Sequence, residues 1–312
     1  MELRDVIVVV QKDDHSLGYY DFLTGVELRR VAVPAYPHEF VVSADGRFAY
    51  SCHFGLKLAE DQGPGGDEVS VVDLPNATLA RTLSCNGWRR PHGIALDAAG
   101  SLYVLSEGSS RLLVIPDPAS GAIARDLPTG GSGSHIVAVT QDGVWAFCSN
   151  MFSGSVSRLS LRTDQEAADI IAVGSRPEGS AFDATEEHLL VCNRESADIA
   201  VINVRTLEVV ARIATPAGPV RIVRRGDGTF VVACYHDQSV IVVDAGRREV
   251  IRRVAVPAKP VSVGFHEPSG RALAGMLPSG LCVVDLDRGL VERTIATRAG
   301  PDPMVVLPLS IQ

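Results

Sequence analysis

The stretch PHGIALDAAGSLYVLSEGSSRLLVIPDPASGAIARDLPTG, Pro91 to Gly130, contains four short runs of alternating or β-branched residues: HGIAL, SLYVLS, RLLVIPD and AIARDLP. Turn formers separate them at Asp97–Gly100, Gly108–Ser110 and Pro116–Gly121. Period-two runs with tight turns and no helical pattern predict an antiparallel sheet of four strands. The unit returns along the chain. The residue after its opening proline, or the equivalent position, is His38, His92, His135, Glu178, Val220, Val261 and Asp302, at gaps of 54, 43, 43, 42, 41 and 41 residues. A period of this length with four strands per repeat marks a propeller blade. Seven repeats predict an all-β, seven-bladed propeller in which residues 1–312 form a single domain. A β-sandwich would not require a fixed period.

The longer first gap has a visible cause in HFGLKLAEDQGPGGDE, His53 to Glu68, which is far longer than its counterparts. Closure is also legible. Three strand-like runs open the chain (DVIVVVQ, LGYYDF, ELRRVAV) and one ends it (PMVVLPL). Sharing one blade would hide both sheet edges and close the ring.

The units resemble the YVTN-repeat family of seven-bladed propellers, on the pieces PHEFVVSADGRFAYSCHFG, PEGSAFDATEEHLLVCNRESADIAVINVRTLEVV and SGSVSRLSL. The resemblance covers essentially the whole chain and implies the fold. It leaves function open, because these propellers host hydrolases, lyases, isomerases and binding modules.

Composition narrows the partners. Of 312 residues, 46% are hydrophobic and 21% charged, with a formal net charge of −8. An acidic surface whose Arg-Arg pairs are scattered argues against nucleic acid and anionic membranes. No apolar run is long enough to span a bilayer, and MELRDVIVVVQKDD lacks the basic-then-apolar order of a signal peptide. Six cysteines without CxxC read as buried, reduced thiols of a cytoplasmic protein. A small molecule is the expected partner; the oligomeric state is left open, a monomer being compatible with the sequence. GGSGSH (130–135) lacks the strand-to-helix setting of a phosphate loop, and no GxSxG frame appears. His15, His188 and His266 fall in turns and read as surface residues.

The first strand of each blade lines the central channel, so the seven repeat residues should form a ring at one mouth. Five consecutive members are polar: Asp302, His38, His92, His135 and Glu178. Three of the chain's eight histidines occupy adjacent places in it. Converging imidazoles with a carboxylate suit a borderline-soft cation, whereas packing them without one leaves ring nitrogens needing other partners. The expected ligands are His38, His92, His135 and Glu178, with Asp302 an additional or water-mediated one. Channel residues that are simply hydrogen-bonded remain the alternative.

The ring also resembles propeller lactonases of the gluconolactonase/regucalcin type, whose ligands start inner strands in a Pro-Asn-Gly or Pro-Asp-Gly frame. Pro91-His92-Gly93 and Pro177-Glu178-Gly179 match that frame; Pro37-His38-Glu39 and Ser134-His135-Ile136 match it partly. The resemblance implies a metal-dependent lactonase or ester hydrolase. Imidazoles in place of oxygen and amide ligands move the ion from calcium towards zinc, iron, manganese, nickel or copper.

A second ring is expected fifteen residues further on: His53, Glu107, Asn150, Asn193, Tyr235 and Met276, with Gln11 from the N-terminal strand. Glu107 is a candidate general base or a partner of His92, His53 a second proton carrier, and Tyr235 a proton or hydrogen-bond donor. Asn150, Asn193 and Gln11 are candidate substrate contacts, and Arg194 and Lys12 candidate partners of a substrate carboxylate. Asn150 and Asn193 also occupy the ordinary YVTN position, which is a structural role. Glu39 stands where two other repeats have Gly93 and Gly179. Two further functions fit the same residues: a lyase or isomerase stabilising an enolate, and a non-catalytic binding propeller. The loop 54–67 leaves from the same mouth and reads as either a lid or a tolerated insertion.

Overall fold

The Pro91–Gly130 repeat folds into strands Pro91–Leu96, Leu102–Ser106, Arg111–Ile115 and Arg125–Pro128, in consecutive order in one antiparallel sheet. Its first turn shows why the motif works. Asp97 Oδ1 accepts the Ser101 N–H at 2.8 Å, and Gly100 adopts a left-handed φ of 85°. That backbone state carries a steric cost for other residues. A computed structural model describing residues 3–163 and 167–311 contains seven such four-stranded sheets arranged as a ring.

Six sheets are built from consecutive strands, and the seventh pairs Pro301–Leu309 with Arg4–Gln11, followed by Ser16–Asp21 and Glu27–Ala32. The closing pair is antiparallel, with Arg4 opposite Leu309 and Gln11 opposite Pro301. The strand edges that each end would expose alone are thereby covered.

The core lies between blades. Tyr50, Cys52, Val69 and Val71 of one blade pack against Ile94, Leu102, Val104 and Leu113 of the next. Middle strands are covered on both faces, so Glu68–Asp73 is buried at every position after the first. Outer strands face water: Thr78–Ser84 is exposed except at Leu83, which explains its polar composition. All six cysteines are buried and unpaired, and burial pushes the Cys85 and Cys282 thiols up to about 12.

One histidine departs from expectation. His266 is buried, with its ring 4.4 Å from that of Phe22 and its Nδ1 2.8 Å from Ser269 Oγ. Ring closure brings the N-terminal blade against this strand end, a neighbour the repeat pattern does not display. His15 is half-buried, and its Nδ1 accepts the Tyr36 N–H at 3.0 Å. Among the described residues no helix is long and apolar enough to cross a membrane.

Candidate metal and ligand site at the channel mouth

Each inner strand begins with a local irregularity. Pro37 pairs with His53 and Phe40 with Ser51, so His38 and Glu39 together face Cys52. Equivalent shifts follow Pro91, Ser134, Pro177, Pro219 and Pro260. A bulge of this kind re-aims a side chain out of the pleat. Here all seven repeat residues line one cavity of about 170 Å³. The glycine after His92 serves the same end. A Cβ at Gly93 would lie 2.6 Å from the His135 carbonyl oxygen, so only glycine lets the neighbouring inner strand approach this closely.

That approach organises the histidines. His92 Nδ1 donates to the His135 carbonyl at 3.0 Å, and His135 Nδ1 donates to Glu107 Oε2 at 2.8 Å. The Leu56 carbonyl supports His38, and Phe54 packs against its ring at a tilt of 51°, with centroids 5.0 Å apart. The three imidazoles form a continuous arc, with centroids 4.6 Å apart from His38 to His92 and 3.8 Å from His92 to His135. Nε2 is thereby the ring nitrogen without a hydrogen bond on His92 and His135 among the described residues, and on His38 it is buried and unpartnered. A histidine held through one nitrogen, with a lone pair on the other, is the usual state of a metal ligand. Burial, reinforced by neighbouring charges, holds His38 and His92 well below the ordinary imidazole range, so both are neutral at pH 7.

The donor atoms of His92, Glu107 and His135 lie within 4.8 Å of one another. His38 stands beside this group. Glu178 and Asp302 line the cavity but are engaged elsewhere. Glu178 Oε1 accepts from Arg194 at 3.1 Å and lies 3.5 Å from Arg176 Nε. Asp302 Oδ2 lies 3.5 Å from Lys12 Nζ, while its Oδ1 is buried without a hydrogen bond.

Of the second ring, only Glu107 and Tyr235 meet the site. Glu107 is buried behind the cavity wall, and its partner is His135, not the expected His92. Tyr235 lines the cavity, with the Arg194 guanidinium 4.6 Å from its ring centroid. Gln11, His53, Asn150 and Asn193 do not line it. Each turns to the third strand of its own blade: Gln11 to Ser16, His53 to Ser70 (2.6 Å), Asn150 to Ser157 and Asn193 to Asp198. Buried polar ends of second strands need partners, and the adjacent hairpin supplies them. Met276 belongs to an inter-blade core.

The residue that the sequence reading missed is Arg221. It lines the cavity and pairs across the channel with Glu39. Both occupy the position after the ring residue, one carrying each charge; that opposite pair within one repeat column was the available signal. Arg176 was also missed. It precedes an inner strand with a left-handed φ of 57°, as Arg90 does at 56°.

The loop 54–67 folds over this mouth. Leu58, Ala59 and Glu60 line the cavity, and Glu60 Oε1 accepts from Arg176 at 2.7 Å. Arg90 clamps the loop by donating to the carbonyls of Ala59, Asp61 and Gly63 at 2.8–3.1 Å. Gly66 N donates to the Phe54 carbonyl at 2.8 Å, which pinches the loop's ends together.

Fold and site together define a seven-bladed propeller with a histidine-lined, loop-covered cavity at one end of its channel. The chain belongs to the YNCE-like beta-propeller family, whose model matches residues 73–269. No curated protein matches it in sequence. Similar solved structures include the periplasmic gluconolactonase PpgL of Pseudomonas aeruginosa, with 17% identity, TM-score 0.78, and coverage of 97% of this chain and 99% of that one. A functionally unknown protein from Desulfotomaculum acetoxidans has 10% identity, TM-score 0.79 and the same coverages. The dihydro-heme d1 dehydrogenase NirN, in complex with DHE, has 16% identity and TM-score 0.69 over 95% of this chain; the match spans 64% of the NirN chain. At these identities the likeness shows the fold alone.

Proposed function

We propose that the protein is a metal-dependent enzyme that hydrolyses a lactone or ester of a small polar molecule at the channel mouth. The observation that carries the reading is the arc of imidazoles, each supported from behind, with Nε2 free of hydrogen bonds beside a cavity. The donor types suit a divalent transition ion: His92 and His135, whose donors converge with Glu107, would hold it, and His38 beside them, with Glu178 or Asp302, would have to move to complete the set. Such an ion, when bound, polarises a carbonyl or lowers the pKa of water. Glu107 keeps His135 in the Nδ1–H form. Phe54 and Leu58–Glu60 exclude water, and Tyr235 with Arg194 forms the opposite wall. The shared fold with a gluconolactonase supports hydrolysis. The enolate reading asked Glu107 or His53 to move a proton, and neither lines the cavity.

The test is to strip the protein with chelator and reload it separately with zinc, manganese, ferrous iron, nickel or copper. Turnover of a panel of aldonolactones and simple esters is then followed by acid release. Bound metal near one per chain, with turnover, is expected for the native protein, and loss of both for His92→Ala. Equal and negligible metal in the two proteins would overturn the reading.

A further inference from the structure

We infer that the cavity takes a small hydroxylated carboxylate, whose carboxylate replaces Glu60 on Arg176 and is shared with Arg194. This rests on the channel mouth being a small-molecule site, but on no reaction there. Three observations converge on it. First, two acceptor atoms on residues that line the cavity make no hydrogen bond: His38 Nε2, and Asp302 Oδ1, which has only an ion contact of 3.8 Å to Arg221; each residue is only 6% exposed. Orphaned acceptors carry a desolvation cost that ligand hydroxyls remove.

Second, Arg176 and Arg194 share the carboxylate of Glu178, and the buried Nε of each makes only a long ion contact, 3.5 Å to Glu178 for Arg176 and 3.8 Å to Glu195 for Arg194. Donors stand on one wall and acceptors on another, the complement of a molecule with a carboxylate at one end and hydroxyls along its body.

Third, the second carboxylate on Arg176 is brought by the loop. The Glu60 side chain is 53% exposed, and its ion pair with Arg176 crosses the mouth. An exposed pair of this kind is weak. Exchanging Glu60 for a ligand carboxylate keeps the charge balance while freeing the loop, whose Gly55, Gly63 and Gly65 have left-handed φ values. Glu60 is thus a tethered stand-in for the ligand's acid group.

The test uses the metal-free full chain and calorimetric titration at fixed ionic strength. The probes are 2-hydroxy acids of three to six carbons, each compared with the polyol and the unhydroxylated acid of the same length. At least one hydroxy acid should bind about tenfold or more tightly than both controls. Arg176→Gln should lose about tenfold or more, whereas Glu60→Gln should bind roughly two- to fivefold more tightly, because a weak competitor has gone. Arg194→Gln provides the same loss should Arg176→Gln fail to fold. Hydroxy acids no tighter than polyols overturn the inference, as does undiminished binding in the arginine variant, or unchanged or weaker binding in Glu60→Gln. Acid binding without hydrolysis by any metal-loaded form overturns only the proposed function. Turnover of neutral lactones without acid binding overturns only this inference.

Discussion

His53 makes the protein acid-sensitive in a way that a single substitution isolates. Its ring is 1% exposed and meets Ser70 Oγ at 2.6 Å, and burial lowers its pKa from 6.5 to about 4. Above pH 6.5 the ring is neutral whether the chain is folded or not, so it contributes no pH dependence. Below 6.5 the unfolded chain takes up a proton that the folded chain refuses until about pH 4, and stability falls. Each pH unit in that window costs about 1.4 kcal/mol, so pH 5.0 costs roughly 2 kcal/mol and the full window about 3.4 kcal/mol. The assay is urea unfolding of the native protein and His53→Gln at pH 7.5 and pH 5.0. Carboxylate titration affects both proteins and cancels in the comparison. The stability difference should shift by about 2 kcal/mol in favour of the variant on acidification. A difference that is the same at both pH values would refute the reasoning.

Three further outcomes follow from the site's construction. Glu39→Gln strips buried Arg221 of its cross-channel partner and should cost about 3 kcal/mol in denaturant unfolding, with Glu39→Gln/Arg221→Met recovering most of the loss. Gly93→Ala places a methyl group against the His135 carbonyl; about 1–3 kcal/mol of stability should go, together with metal content. Replacing residues 55–66 with a short Gly-Ser turn removes Leu58 and Glu60 from the cavity, so KM should rise and kcat fall in the lactone assay; wild-type values for both would reduce the loop to an insertion.

By itself the sequence determined the architecture. Alternation with period two, turns at fixed offsets and a forty-residue repeat are local properties. Repeating one local solution seven times leaves a ring closed by the two chain ends as the way to cover every sheet edge. It also determined which residues would meet at the mouth, because one column of the repeat becomes one ring: His38, His92, His135, Glu178 and Asp302 do share the cavity. Tertiary structure decided what those residues do to one another. The second column was legible as positions but not as directions, and Gln11, His53, Asn150 and Asn193 rotate into their own hairpins because each finds a hydrogen-bonding side chain on the third strand. Glu107 meets His135 because adjacent inner strands approach at Gly93, a distance that no spacing along the chain encodes. Arg221 reaches Glu39 across a channel 182 residues away in sequence. Charge pairing, tautomer and burial belong to neighbours in space, and only the closed ring brings these neighbours together.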